Sequence, residues 1–90
     1  MKVYDKAMWH IDGGEDKEEV IAKFKVIFAF LKGKNMLSDE GKEIMEFGID
    51  SSISLHERLL TAEGNKFIEE YYDSIINLKS NEIAVKLLAM

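Results

Sequence analysis

Ninety residues, 47% apolar and 32% charged, fit one folded domain and lie well outside the composition of a disordered chain. The absence of cysteine removes disulfides, thiolate metal binding and thiol chemistry, and suits a reducing compartment. The net charge of −5 is unevenly placed: residues 1–34 carry seven lysines against six acids, and residues 35–90 carry five basic residues against eleven acids. With Arg58 the single arginine, this balance disfavours nucleic acid and suits a basic protein partner.

The chain begins with a concentrated polar-aromatic segment, Tyr4-Asp5-Lys6-Ala7-Met8-Trp9-His10, which contains the only tryptophan. Tyr4, Ala7, Met8 and Ile11 have helical spacing, so a short first helix is expected. Its tryptophan should be largely buried against Phe67, Tyr71 or Tyr72, because a short domain needs a large apolar payload. After Gly13-Gly14, Asp16 is placed to cap a helix with Glu18 and Glu19 in its first turn and Val20, Phe24, Ile27 and Leu31 on one face. Residues 26–31 are apolar all round. A buried strand competes there, but the helical lead-in favours one continuous central helix ending at Gly33. Ser38, with Asp39 and Glu40, starts another helix that should carry Ile44, Met45 and Phe47 inward and stop at Gly48. Ser54 and Glu57 have capping-box spacing, predicting a helix from about Leu55 to Ala62. Glu63-Gly64-Asn65 reads as a break, with Asn65 capping a helix whose stripe is Phe67, Ile68, Tyr71, Tyr72, Ile75 and Ile76. Ser80 or Asn81 is placed to cap a last apolar segment to Met90.

The expected architecture is therefore all-α, four to six short helices around the helix from about Asp16 to Lys32. The longest apolar run, Val26 to Leu31, is too short to span a bilayer, and residues 1–15 lack the apolar core of a secretory signal, so a cytoplasmic protein without a membrane role is expected.

Chemistry-bearing constellations are sparse. His10 and His56 are far apart in sequence, and no His-x-x-x-His or Glu-x-x-His pair places ligands on one helical face, so neither a metal site nor a cofactor is expected. His10 beside Asp12 would need a turn to form an acid–base pair, and a histidine near a helix C-terminus already interacts favourably with the last carbonyls. Ser54 beside His56 is better read as a cap than as a nucleophile, so no catalytic residue is assigned. Candidate binding residues are Tyr4, Asp5, Trp9, His10, Asn65, Tyr71 and Tyr72. The two adjacent tyrosines should differ in burial, because neighbours on an amphipathic helix face different ways. The apolar tail, Ile83, Val85, Leu87, Leu88 and Met90, should leave water. Either its own domain or a second copy could receive it, and a homodimer through residues 81–90 is the expectation.

Two motifs, Tyr4-Asp5-x-Ala7-x-Trp9-His10 and Leu60-Thr61-x-Glu63-Gly64-Asn65-x-Phe67 followed by Tyr71-Tyr72-Asp73, resemble a family of short uncharacterised bacterial proteins over roughly residues 3–77. Phe28-Ala29-Phe30-Leu31 and Leu37-Ser38-Asp39-Glu40 fall where that family has its central helix and turn. Gly13-Gly14-Glu15 replaces a longer acidic, proline-containing loop, and Glu19-Val20-Ile21 replaces a polar stretch. Similar small acidic proteins include immunity partners of bacterial toxins, so the resemblance implies binding rather than catalysis. The other reading is a small enzyme or ligand-binding module with a pocket around Trp9, His10 and Asp5.

Overall fold

The computed structural model, which describes residues 1–90, is organised around one long helix, α2 (Lys17–Gly33). The Asp16 carboxylate accepts from the Glu19 backbone N–H at 3.0 Å, and Glu18 and Glu19 set negative charge against the positive helix end. Val20, Phe24, Ile27, Phe28 and Leu31 are completely buried; residues 26–31 are helical, with Val26 and Phe30 half-buried at the edge of the core and Ala29 exposed. The helix ends where Asn35 turns left-handed (φ 58°), a conformation that asparagine tolerates better than most residues, and the Met36 N–H closes back onto the Leu31 carbonyl at 2.8 Å.

The other helices are α1 (Ala7–Asp12) and α5 (Ser80–Leu88), which pack directly on α2, α4 (Ala62–Ile75), which meets it through Phe67 against Phe30, and α3 (Asp39–Phe47), which packs on residues 57–59. The fold is mostly helical but not all-α. Strands β1 (Val3–Lys6) and β2 (Ser54–His56) pair antiparallel, with Asp5 opposite Leu55, Lys6 opposite Ser54 and a register irregularity between Val3 and Asp5. Tyr4 is thus a strand residue. The helix expected over 55–62 is replaced by β2 and a single 3-10 turn, Glu57–Leu59. Ile53 and Leu55 are buried while Ser54 and His56 are only half-buried, the two-residue alternation of a strand, and Ser54 caps nothing.

Thr61, not Asn65, opens α4: its hydroxyl accepts from the Gly64 N–H at 3.1 Å. Glu63-Gly64-Asn65 is the first turn of that helix rather than a break. In α3 the Ser38 hydroxyl accepts from Gly41 N–H at 3.2 Å, and Gly48 stops the helix at φ 101°. Phe47 does not face inward: it is 92% exposed, because it lies two positions beyond half-buried Met45 and so about 200° around the helix.

The tail folds onto its own domain through one face. Glu19 takes the Ser80 backbone N–H and hydroxyl on its two carboxylate oxygens, at 2.8 and 2.7 Å, and Ile83 and Leu87 are buried against α2. Val85 (69%) and Leu88 (86%) stay exposed, contrary to the expectation that the whole tail leaves water. No helix is long and apolar enough to cross a membrane.

Candidate functional site

The N-terminal motif builds a chain of charged and polar groups across the domain. Asp5, at the inner end of β1, accepts the Lys6 N–H on Oδ1 at 2.8 Å. Its Oδ2 accepts from the Tyr72 hydroxyl at 2.6 Å and lies 2.5 Å from His10 Nε2. His10 Nδ1 lies 2.7 Å from Glu15 Oε2, and Glu15 Oε1 accepts from Lys23 Nζ at 3.1 Å. Lys23 also donates to the Ile76 carbonyl at 3.2 Å. Tyr72, Asp5, His10, Glu15 and Lys23 therefore tie β1, α1, the turn after it, α2 and the end of α4 together. Asp5 and Lys23 are each only 6% exposed, and the His10 ring meets Phe24 edge-on, centroids 6.3 Å apart.

Both imidazole nitrogens of His10 face carboxylate oxygens, an arrangement that is fully satisfied when both donate and that therefore favours the imidazolium. Burial works against that charge, but the hydrogen bonds to Asp5 and Glu15 outweigh it and raise the His10 pKa above its ordinary 6.5. For Glu15 burial also opposes ionisation, and the hydrogen bonds from His10 and Lys23 outweigh it, lowering the pKa below 4.5. Burial, then the hydrogen bond to Asp5, pushes the Tyr72 hydroxyl far up, so it remains a donor. A raised histidine pKa contributes stability that is complete below 6.5 and lost as pH climbs through the folded-state value. The lowered Glu15 pKa contributes stability present above 4.5 and lost as pH falls through its folded-state value. Urea midpoints measured across pH should therefore be highest between these limits, and His10→Gln should flatten the alkaline limb. An alkaline limb equally steep in that variant would contradict the assignment.

A second cluster holds Tyr4 and Asn65. The Tyr4 hydroxyl donates to Asn65 Oδ1 at 2.6 Å and lies 3.2 Å from Glu69 Oε1; burial, then Glu69, pushes its pKa up to about 12. Asn65 Nδ2 donates to the Glu57 and Thr61 carbonyls, each at 3.1 Å. One amide thus joins β1, the 3-10 turn and α4.

The remaining sequence candidates lie apart. Trp9 is 55% exposed, with Lys6 Nζ 5.7 Å from its ring centroid, and does not reach the Phe67 and Tyr72 face. The Ala7 N–H bonds to the Ile53 carbonyl at 3.1 Å and fixes Ala7 inward, which turns Trp9, two residues on, about 200° away. Trp9→Ala should consequently shift stability by less than about 1 kcal/mol, with wild-type emission near that of solvated tryptophan; a loss several times larger would restore a core role. The tyrosines differ as expected: Tyr72 is buried, whereas Tyr71 stands on the outer side with its ring 5.1 Å from Phe67.

Glu15 and Lys23 escaped the sequence reading. Lys23 had a signal, since it lies three residues after Val20 and four before Ile27 on the buried stripe of α2, where a lysine requires a buried partner. His10 pairs with Asp5 and Glu15, not with Asp12 or the helix carbonyls.

Concavities lie elsewhere, and none includes Trp9 or His10. A cleft of about 360 Å³ opens between α3 and β2, where buried Ile53 and Leu59 meet half-buried Ile44, with Asp50, Ser52 and His56 around them and Phe47 at the lip. Asp50 is held below its ordinary 3.8 by hydrogen bonds from the Ser52 hydroxyl and N–H, at 2.5 and 2.8 Å. Asp39, Glu40, Glu43 and Glu46 are exposed on the adjoining helix. Comparisons with family models, with curated proteins and with solved structures found no match.

Proposed function

We propose that this chain is a non-enzymatic cytoplasmic binding protein, an immunity-like partner for a basic bacterial protein, and that it belongs to the family its two motifs resemble. The observation that carries the reading is Phe47, 92% exposed at the lip of a cleft and on the same helix as four exposed acids. An aromatic ring left in water beside a concavity is a binding anchor in waiting, and acids around it select a cationic partner and speed its approach. Catalysis at His10 has less support, because both ring nitrogens and both Asp5 oxygens are already engaged.

Affinity capture from the source cells tests this reading. A basic protein should be retained by the wild type and lost both from the Asp39, Glu40, Glu43 and Glu46→Lys variant and from Phe47→Ser. Retention of an acidic protein, or of the same protein by both variants, would overturn it.

A further inference from the structure

On a different face, α2, α4, Met36 and Met90 border an open aromatic trough of about 390 Å³ lined by Phe30, Lys34, Met36, Phe67, Tyr71 and Met90. Its floor is a tilted stack: Phe30 and Phe67 have centroids 5.2 Å apart, and Phe67 and Tyr71 5.1 Å. Phe30 also lines a shallow groove of about 330 Å³ between α2 and α5, where Ala29 and Ala84 leave room beside Val26 and exposed Leu88. The two concavities adjoin at Phe30, which lines both; along α2 the track of lining residues runs from Lys34 back to Val26, about 12 Å at the helical rise.

The track is apolar except at one end. Lys34 is the sole charged side chain lining either concavity, and its Nζ sits 5.9 Å from the Phe30 centroid. A single exposed cation at the end of an open apolar groove matches a ligand with one negative charge and an extended hydrocarbon body. The volume falls in the range of small-molecule sites, and two methionines at the edge can adapt to a flexible chain. We infer that this track is a binding site for an amphiphilic carboxylate, with the carboxylate at Lys34 and the acyl chain lying over Phe30 toward Ala29 and Ala84. The site is independent of the cleft beside α3.

Dodecanoate, kept below its micellar concentration, is the probe. Titration followed by calorimetry and by amide NMR should show saturable binding of one ligand per chain in the micromolar range, with shifts centred on Phe30, Tyr71, Ala84 and Leu88. Dodecyltrimethylammonium, with the same tail and opposite charge, should bind a few-fold more weakly, and Lys34→Glu should invert that preference. Ala29→Trp, at an exposed helix position, should block the groove and abolish chain binding while leaving the melting temperature unchanged. Absence of saturable binding, or equal binding of the two headgroups, would overturn the inference. A dimer that Ala29→Trp dissociates and dodecanoate does not would also overturn it, assigning this face to a second copy of the chain through residues 81–90.

Discussion

Replacing Asp5 with alanine is expected to destabilise the fold by about 3 to 5 kcal/mol, the range for removing one partner of a buried charged pair. The carboxylate is 6% exposed and serves three donors: Lys6 N–H, the Tyr72 hydroxyl and His10 Nε2. Its loss leaves the Tyr72 hydroxyl with no acceptor in the core and His10 with one carboxylate instead of two. A domain of this size has a total margin of about 5 to 15 kcal/mol, so the variant should be partly unfolded at room temperature or close to it. Asp5→Asn should be milder, because an amide oxygen in the Oδ2 position still accepts from both the Tyr72 hydroxyl and His10, and only the Lys6 N–H, facing the amide NH2, loses its acceptor. Urea unfolding curves check the order wild type, Asn, Ala. A loss under about 1 kcal/mol for Asp5→Ala would mean that the Tyr72–Asp5–His10 chain is not what holds β1 and α1 to α4.

Gly64→Ala should cost about 3 kcal/mol or more. A Cβ there would overlap the Met36 carbonyl oxygen, a backbone atom already accepting from the Thr61 N–H at 2.9 Å and from its hydroxyl at 3.3 Å. Neither atom can yield without pulling the first turn of α4 away from the loop that leads into α3. Gly33→Ala is the matched control. Its added methyl meets nothing within 4 Å and its φ is not left-handed, so the usual helix preference for alanine should apply and stabilise by about 0.5 to 1 kcal/mol. Thermal melts of the two variants should therefore move in opposite directions. A Gly64→Ala protein as stable as wild type would show that the close approach of α4 to Met36 does not persist in solution.

These two sites also mark the limit of what local sequence conveys. Helices α2 and α4 were legible because their determinants are local: apolar residues at helical spacing, Asp16 at one start and acids in the first turn. Helix α3 announced its ends equally well, through Ser38 and Gly48. Strand β1 was not legible, because its partner is some fifty residues away and Tyr4, Ala7, Met8 and Ile11 happen to fall at helical spacing. Once β1 pairs with β2, the phase of α1 is set by Ala7. His10, three residues on, then turns inward and Trp9 outward. The size of a tryptophan says how much burial would gain, not which way the backbone points it. Asn65 was legible as important but misassigned, since Thr61 does the capping and frees its amide to bridge three elements. Asp5, His10 and Tyr72 were each singled out by the sequence; that they touch one another is long-range information, as is the placing of Glu15 between His10 and Lys23.

The N-terminal motif frames the domain through the Tyr72–Asp5–His10–Glu15–Lys23 chain, and the proposed recognition surface is the acidic helix, the exposed ring of Phe47 and the cleft beside them. The most direct test is the association rate of the captured basic partner with wild type and with the Asp39, Glu40, Glu43 and Glu46→Lys variant. It should be measured between ~0.01 M and ~1 M ionic strength, over which the screening length falls from about 30 Å to about 3 Å. The wild-type rate should drop at least about tenfold across that range, and the charge-reversed variant should associate slowly throughout. A wild-type rate indifferent to salt, or a variant that associates as fast as wild type at low salt, would contradict the account.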